Sequence, residues 1–234
     1  MAHSIIACSV AACTFLGLSV PLLAAAPTVP VQAAPASSRL APVDTNGDDK
    51  LRAAAEPFET LTEIAFEAAW PVIDQTIGEA EAAAREARRL LPSDAAIQLD
   101  AQIAAMKSAR QKQARAGLAL SSIEAYHVLV SAVANNAKVP TEVSLLDYAG
   151  FRYDADLKAN PIRWNDMTEA VAFARRNWAK LLPRATTFPA AIAFEKAIAD
   201  MDKAVTLRNA SSAAASVKAE LDLVDQLETF FSTR

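Results

Sequence analysis

The residue types that can do chemistry in this chain are few, and they stand in three places. Glu124-Ala125-Tyr126-His127 puts a carboxylate and an imidazole three residues apart, on one face of a helix. Such a pair offers two ligands to a transition-metal ion, and carboxylates from another helix would complete a mononuclear site. Glu63 and Glu67, one turn apart, are candidates for that role. His127 also lies on one stripe with Leu120, Ile123 and Val130, so it reads equally as a core histidine with a hydrogen-bond partner. The second place is Pro140 to Asn160, which breaks the surrounding pattern. It gathers Tyr148, Phe151, Arg152 and Tyr153, with Trp164 just beyond. Aromatics beside paired charges suit a binding surface, or a plug packed on the end of a helical body. The third is an acidic run, Asp44-Thr45-Asn46-Gly47-Asp48.

Two of these motifs resemble known metal sites. Glu124 and His127 have the spacing of the Glu-x-x-His motif of ferritin-like di-iron proteins. That family needs two copies, and only one is present, so the resemblance implies at most one ion. Residues 44–56 resemble the loop of EF-hand and dockerin calcium sites, with Asp44, Asn46 and Asp48 at ligand positions 1, 3 and 5 and Leu51 at position 8. Position 6 is Asp49 where the family has Gly, and position 12 is Ala55, with Glu56 one residue late. The implied cofactor is a single transition-metal ion or calcium.

Other chemistries lack their residues. Cys8 and Cys13 are the only cysteines and His3 the only other histidine, all near the N-terminus. The rest of the chain has no thiolate nucleophile, no CxxCH haem attachment and no His–Met haem pair. No phosphate-binding loop or activated nucleophile is recognisable, so an enzyme ranks last among the readings. A net charge of −4 without a one-sign block argues against nucleic acid as a partner.

Residues 1–33 carry no Lys, Arg, Asp or Glu, and Ile5 to Ala26 is nearly all apolar. This predicts a secretory signal peptide cleaved near Ala33, after Val31-Gln32-Ala33, and hence a periplasmic or secreted protein. Only an uncleaved leader would make a membrane anchor. Residues 34–55, rich in Pro, Ala and Ser at first, predict a flexible linker carrying the calcium-like segment.

Residues 56–234 must position the candidate groups. Alanine-rich and glycine-poor composition predicts an all-α, antiparallel four-helix-bundle-like single domain. The first helix runs from Pro57 to Leu91 with a kink at Pro71. The second is one long helix from Ser93 to about Asn136. A long crossover, 140–160, joins it to a third helix beginning at Pro161 and stopped by Pro183. A shorter segment from Thr187 and a last helix ending near Phe231 follow. Gly150 gives the crossover a permissive backbone point. Gly78 and Gly117, inside helices, mark either close approach or simple tolerance. The function expected is an exported helical binding protein, with a metal ion near the end of the second helix. The alternative is an interaction module that meets a protein partner through residues 140–166.

Overall fold

The computed structural model describes residues 45–134 and 138–233, with backbone alone for Thr45 and Asn46. Its elements are helices: α1 Thr45–Ile64, α2 Trp70–Ala87, α3 Ser93–Gln111, α4 Arg115–Ser131, α5 Thr141–Leu157, α6 Trp164–Leu181, α7 Ala191–Thr206 and α8 Ala210–Ser232. The described residues are all-α as expected, but eight α-helices among them replace the four, and the differences have local causes. No described helix is long and apolar enough to cross a membrane. The expected leader and Asp44 lie outside the described residues.

Two prolines exchange their expected roles. Pro57 sits inside α1, which begins at Thr45 and so extends well into the stretch expected as linker. Pro71 opens α2 in the first turn, where its missing N–H costs nothing. The single helix expected over 56–91 is thus two helices with a turn at 65–69. Arg115 locks that turn by donating to the carbonyls of Ala65 at 2.6 Å and Ala68 at 3.0 Å. Its guanidinium also lies 4.5 Å from the ring centroid of Trp70, with Arg110 at 4.4 Å.

The long helix expected over 93–136 breaks at Gln113, which adopts φ 54°. The N–H of Ala114 then donates to the carbonyl of Ala109 at 2.9 Å, closing α3 with a left-handed cap. No Gly or Pro marks this break; a long polar side chain takes the left-handed conformation instead.

The crossover expected over 140–160 is helix α5. Val143, Leu146, Ala149, Tyr153 and Leu157 recur at three- and four-residue steps and are all buried. Gly150 has no unusual φ. A Cβ there would overlap Glu220 Oε2 and crowd Leu221 Cδ2, so its role is to let α8 approach α5 closely. The third helix begins at Trp164 rather than Pro161, after a cis Asn160–Pro161 bond.

The eight helices form two successive units of the same plan. In each, the first helix packs on the second and fourth, and the third packs on the fourth: α1 on α2 and α4, α3 on α4, then α5 on α6 and α8, α7 on α8. In each, a 3-10 turn ends the second helix, Arg88–Leu90 and Leu182–Arg184. In each, a left-handed residue separates the third and fourth helices. Arg208 at φ 47° matches Gln113, and Asn209 N–H donates to Ala204 as Ala114 does to Ala109. The buried residues match too: Ile73, Ile77, Ala80 and Ala87 correspond to Met167, Val171, Ala174 and Leu181. Leu99, Met106 and Ala109 correspond to Phe194, Met201 and Ala204. Each unit has its own apolar core, and α5 joins them, with Tyr148 and Ala155 facing the first core and Tyr153 and Leu157 the second.

Candidate functional site

The seam where α4 of the first unit meets α5 of the second brings several predicted residues together. His127 stacks on Tyr148 with ring centroids 4.2 Å apart, and Phe173 of α6 meets both rings edge-on. The Tyr148 hydroxyl donates to Glu124 Oε1 at 2.8 Å and accepts from Arg152 at 3.2 Å. Arg152 also pairs with Glu124 at 3.6 Å and with Glu169 at 3.4 Å. Burial lowers the His127 pKa, opposed by Glu124 and assisted by Arg152, so its imidazole is neutral at pH 7. Burial and the neighbouring Glu124 raise that of Tyr148.

Glu124, Tyr148 and Arg152 are already paired with one another. Among the described residues, no three His, Cys, Asp or Glu side chains are grouped as a metal ion requires. Glu63 is exposed near the end of α1 and Glu67 in the turn after it, and Glu63 faces Asp225 of α8 rather than His127. The calcium-like run is not a loop where it is described. Asn46 and Asp48 belong to the first turn of α1, and Asp48 Oδ1 accepts the N–H of Ala134 at 3.0 Å. The expected binding surface disperses. Tyr153 is fully buried and donates to the Met201 carbonyl, while Phe151 and Trp164 pack on opposite cores. Only Tyr148 and Arg152 of that set join the His127 cluster.

A second locus lies where α1 and α8 face each other. A cleft of about 550 Å³ opens between them, lined by Asp49, Arg52, Lys138, Val139, Asp225, Glu228, Thr229 and Ser232. Asp49, Arg52, Glu56, Glu59 and Glu63 recur at three- and four-residue steps, one stripe of α1. Further along this stripe Glu59, half-buried, shares a hydrogen bond with Asp147 of α5, which is almost fully buried. Burial, then repulsion from Glu228, Glu63 and Glu56, pushes Glu59 up to about 7 against that hydrogen bond. Burial and the Glu59 charge push Asp147 well above the usual carboxylate range. Two carboxyls this close share a proton, because both cannot ionise together in a low-dielectric setting. Tyr126 of α4 reaches Asp147 Oδ2 at 3.5 Å and also bonds Ser144.

Glu220 of α8 extends this acidic string inward. It is fully buried, neither carboxyl oxygen has a hydrogen-bond partner, and it lies over Gly150, one turn from Asp147. Burial alone raises its pKa well above the ordinary value. At the rim, Glu228 is raised by burial and by Asp225, against the pull of Arg52.

Sequence reasoning named Glu63 and missed Glu59, Asp147, Glu220 and Glu228. One signal was readable. Ala213, Val217, Glu220, Val224 and Leu227 make a single seam of α8, so an acid occupies a core position. Compared with protein-family models, curated proteins and solved structures, the chain matches none.

Proposed function

We propose that this is an exported helical binding protein that takes a small ligand in the cleft between α1 and α8. The observation that carries the reading is a cleft of about 550 Å³ lined by Arg52, Lys138, Asp225 and Glu228, a size suited to a small molecule, with Glu59, which burial pushes up to about 7, on the same stripe of α1 as Arg52. Titratable groups driven from their ordinary values beside a cleft are more often functional than structural surface acids. The charge-free, apolar N-terminal stretch supports export. No reaction is assigned to the cleft.

A ligand screen followed by thermal unfolding tests the binding reading. A ligand of the cleft raises the melting temperature of the native protein and does so less for Glu59→Gln. A ligand that stabilises both equally binds elsewhere. N-terminal sequencing of protein recovered outside the cytoplasm tests export, with a mature start near Ala34 expected. Elemental analysis of the same material tests the metal site expected at Glu124 and His127: an ion lost in His127→Ala with helical content retained would restore that reading.

A further inference from the structure

A second opening, of about 500 Å³, lies between the first half of α1 and the C-terminal end of α2. It shares no lining residue with the cleft between α1 and α8. Ala54, Ala83 and Ala87 line it, and Leu90 of the following 3-10 turn, 38% exposed, stands beside them. The second unit shows what this place holds when it is filled. Leu51, Ala54, Phe58 and Leu61 of α1 match Val143, Leu146, Gly150 and Tyr153 of α5, every one buried. Ala84 and Ala87 of α2 match Trp178 and Leu181 of α6 in the same way. Ala54, Ala83 and Ala87 therefore stand where the second unit has Leu146, Asn177 and Leu181, all buried. Protein interiors pack densely, so three small side chains at places that carry large ones elsewhere in the same plan leave room for something else. The charges beside the opening are also unusual. Neighbouring charges of α2 and its 3-10 turn pair with α3: Arg88 with Asp100, Glu81 with Lys107 and Asp74 with Arg110. Lys50, Glu86 and Arg89 line the opening and are exposed, and none of them has a hydrogen-bond or ion-pair partner among the described residues. Two free cations against one free carboxylate leave an excess of one positive charge.

We infer that this opening binds a small monocarboxylate with an apolar tail, the tail against Ala54, Ala83 and Ala87 and the carboxylate toward Lys50 and Arg89. Each methylene of the tail that leaves water for the alanine surface adds to affinity. The planar guanidinium of Arg89 offers two parallel donors to the two carboxylate oxygens. An amine of the same length would meet two cations and be repelled. A dianionic phosphate would bring its second charge against Glu86, where the excess of positive charge is already used.

The test titrates octanoate, octylamine and acetate calorimetrically into the purified protein at pH 7. Octanoate should bind at least about tenfold more tightly than octylamine, which has the tail, and than acetate, which has the head. Ala54→Leu and Ala87→Leu restore the side chains of the second unit and should each weaken octanoate at least about tenfold, with helical content retained. Arg89→Ala and Lys50→Ala lie on the surface, leave the packing alone and should each weaken it about tenfold. Equal binding of octanoate and octylamine, or unchanged affinity in both leucine variants, overturns the inference. Should the leucine variants fail to fold, unchanged affinity in Arg89→Ala and Lys50→Ala overturns it instead. Loss of octanoate binding in Glu59→Gln but not in the leucine variants would move the carboxylate to the α1–α8 cleft and overturn it too. So would sedimentation with phosphatidylglycerol vesicles without any binding of octanoate, since Lys50 and Arg89 would then serve a lipid surface.

Discussion

Replacing Glu220 with methionine should make the protein more stable at neutral pH, and the gain should grow as the pH rises. Glu220 is fully buried in the α5–α8 seam and has no hydrogen-bond partner for either oxygen. Burial holds its pKa well above the ordinary 4.5. The unfolded chain therefore releases this proton near pH 4.5 while the fold keeps it. With fewer protons on the unfolded state, stability falls as pH climbs from there towards the folded pKa. One retained proton corresponds to about 1.4 kcal/mol per pH unit. Methionine has similar length, no oxygen to desolvate and no proton to lose. Urea unfolding of Glu220→Met and the native chain, run from pH 4.5 to 8, is the measurement. The two stabilities should lie close at pH 4.5 and diverge upward, with a slope difference near one proton. Parallel curves would mean that Glu220 ionises as readily in the fold as in the unfolded chain, and the buried acidic string would lose its innermost member.

The two helical glycines of α2 and α5 should respond with opposite signs. Gly78→Ala, with nothing within 4 Å of the new Cβ, should gain about 1 kcal/mol from helix propensity, whereas Gly150→Ala must displace Glu220 and Leu221 and should lose about 1–3 kcal/mol. Thermal or urea unfolding of the pair reads both. Arg115→Ala removes two charged hydrogen bonds from the α1–α2 turn and should cost about 2 kcal/mol, with faster amide exchange at 65–69. The His127 Hε1 resonance should titrate below pH 6.5, because burial disfavours the imidazolium. Stability from this group is then present above 6.5 and lost as pH falls.

The apolar seams were legible, but their interruptions were not. Leu99, Met106, Ile123 and Val130 have helical spacing whether they lie on one helix or two, and Gln113 looks like any polar surface residue. The chain reversal depends on one backbone dihedral that no glycine announces. The same is true at Arg208, where the next residue, Asn209, signalled a turn because its side chain caps α8 by accepting from Ser212. The segment 140–160 misled through composition. Tyr148, Tyr153 and Arg152 read as a surface, yet at helical spacing Tyr148 and Tyr153 turn into two different cores. The Glu124–His127 neighbourhood with Tyr148 and Arg152 was legible because its parts lie at adjoining helix faces. The acidic string was not, because it draws on α1, α5 and α8, which lie far apart in sequence. Only the tertiary fold puts Glu59 beside Asp147 and Glu228.

The two-unit plan also explains where the cleft lies. Exchanging the units carries α1 to α5, α4 to α8 and α5 to α1. The packing of α4 on α5 would then have a counterpart, α8 on α1. The first contact is made and the second is open. The residues at the two seams account for the difference. Between α4 and α5 stand His127 and Tyr148, whose stacked rings exclude water, with Glu124 neutralised by Arg152. Between α1 and α8 stand Glu59 and Glu63 against Asp225 and Glu228, like charges that repel across any close, dry contact. One seam has been filled with aromatic surface and closes the molecule. Its counterpart carries carboxyls on both faces and stays open.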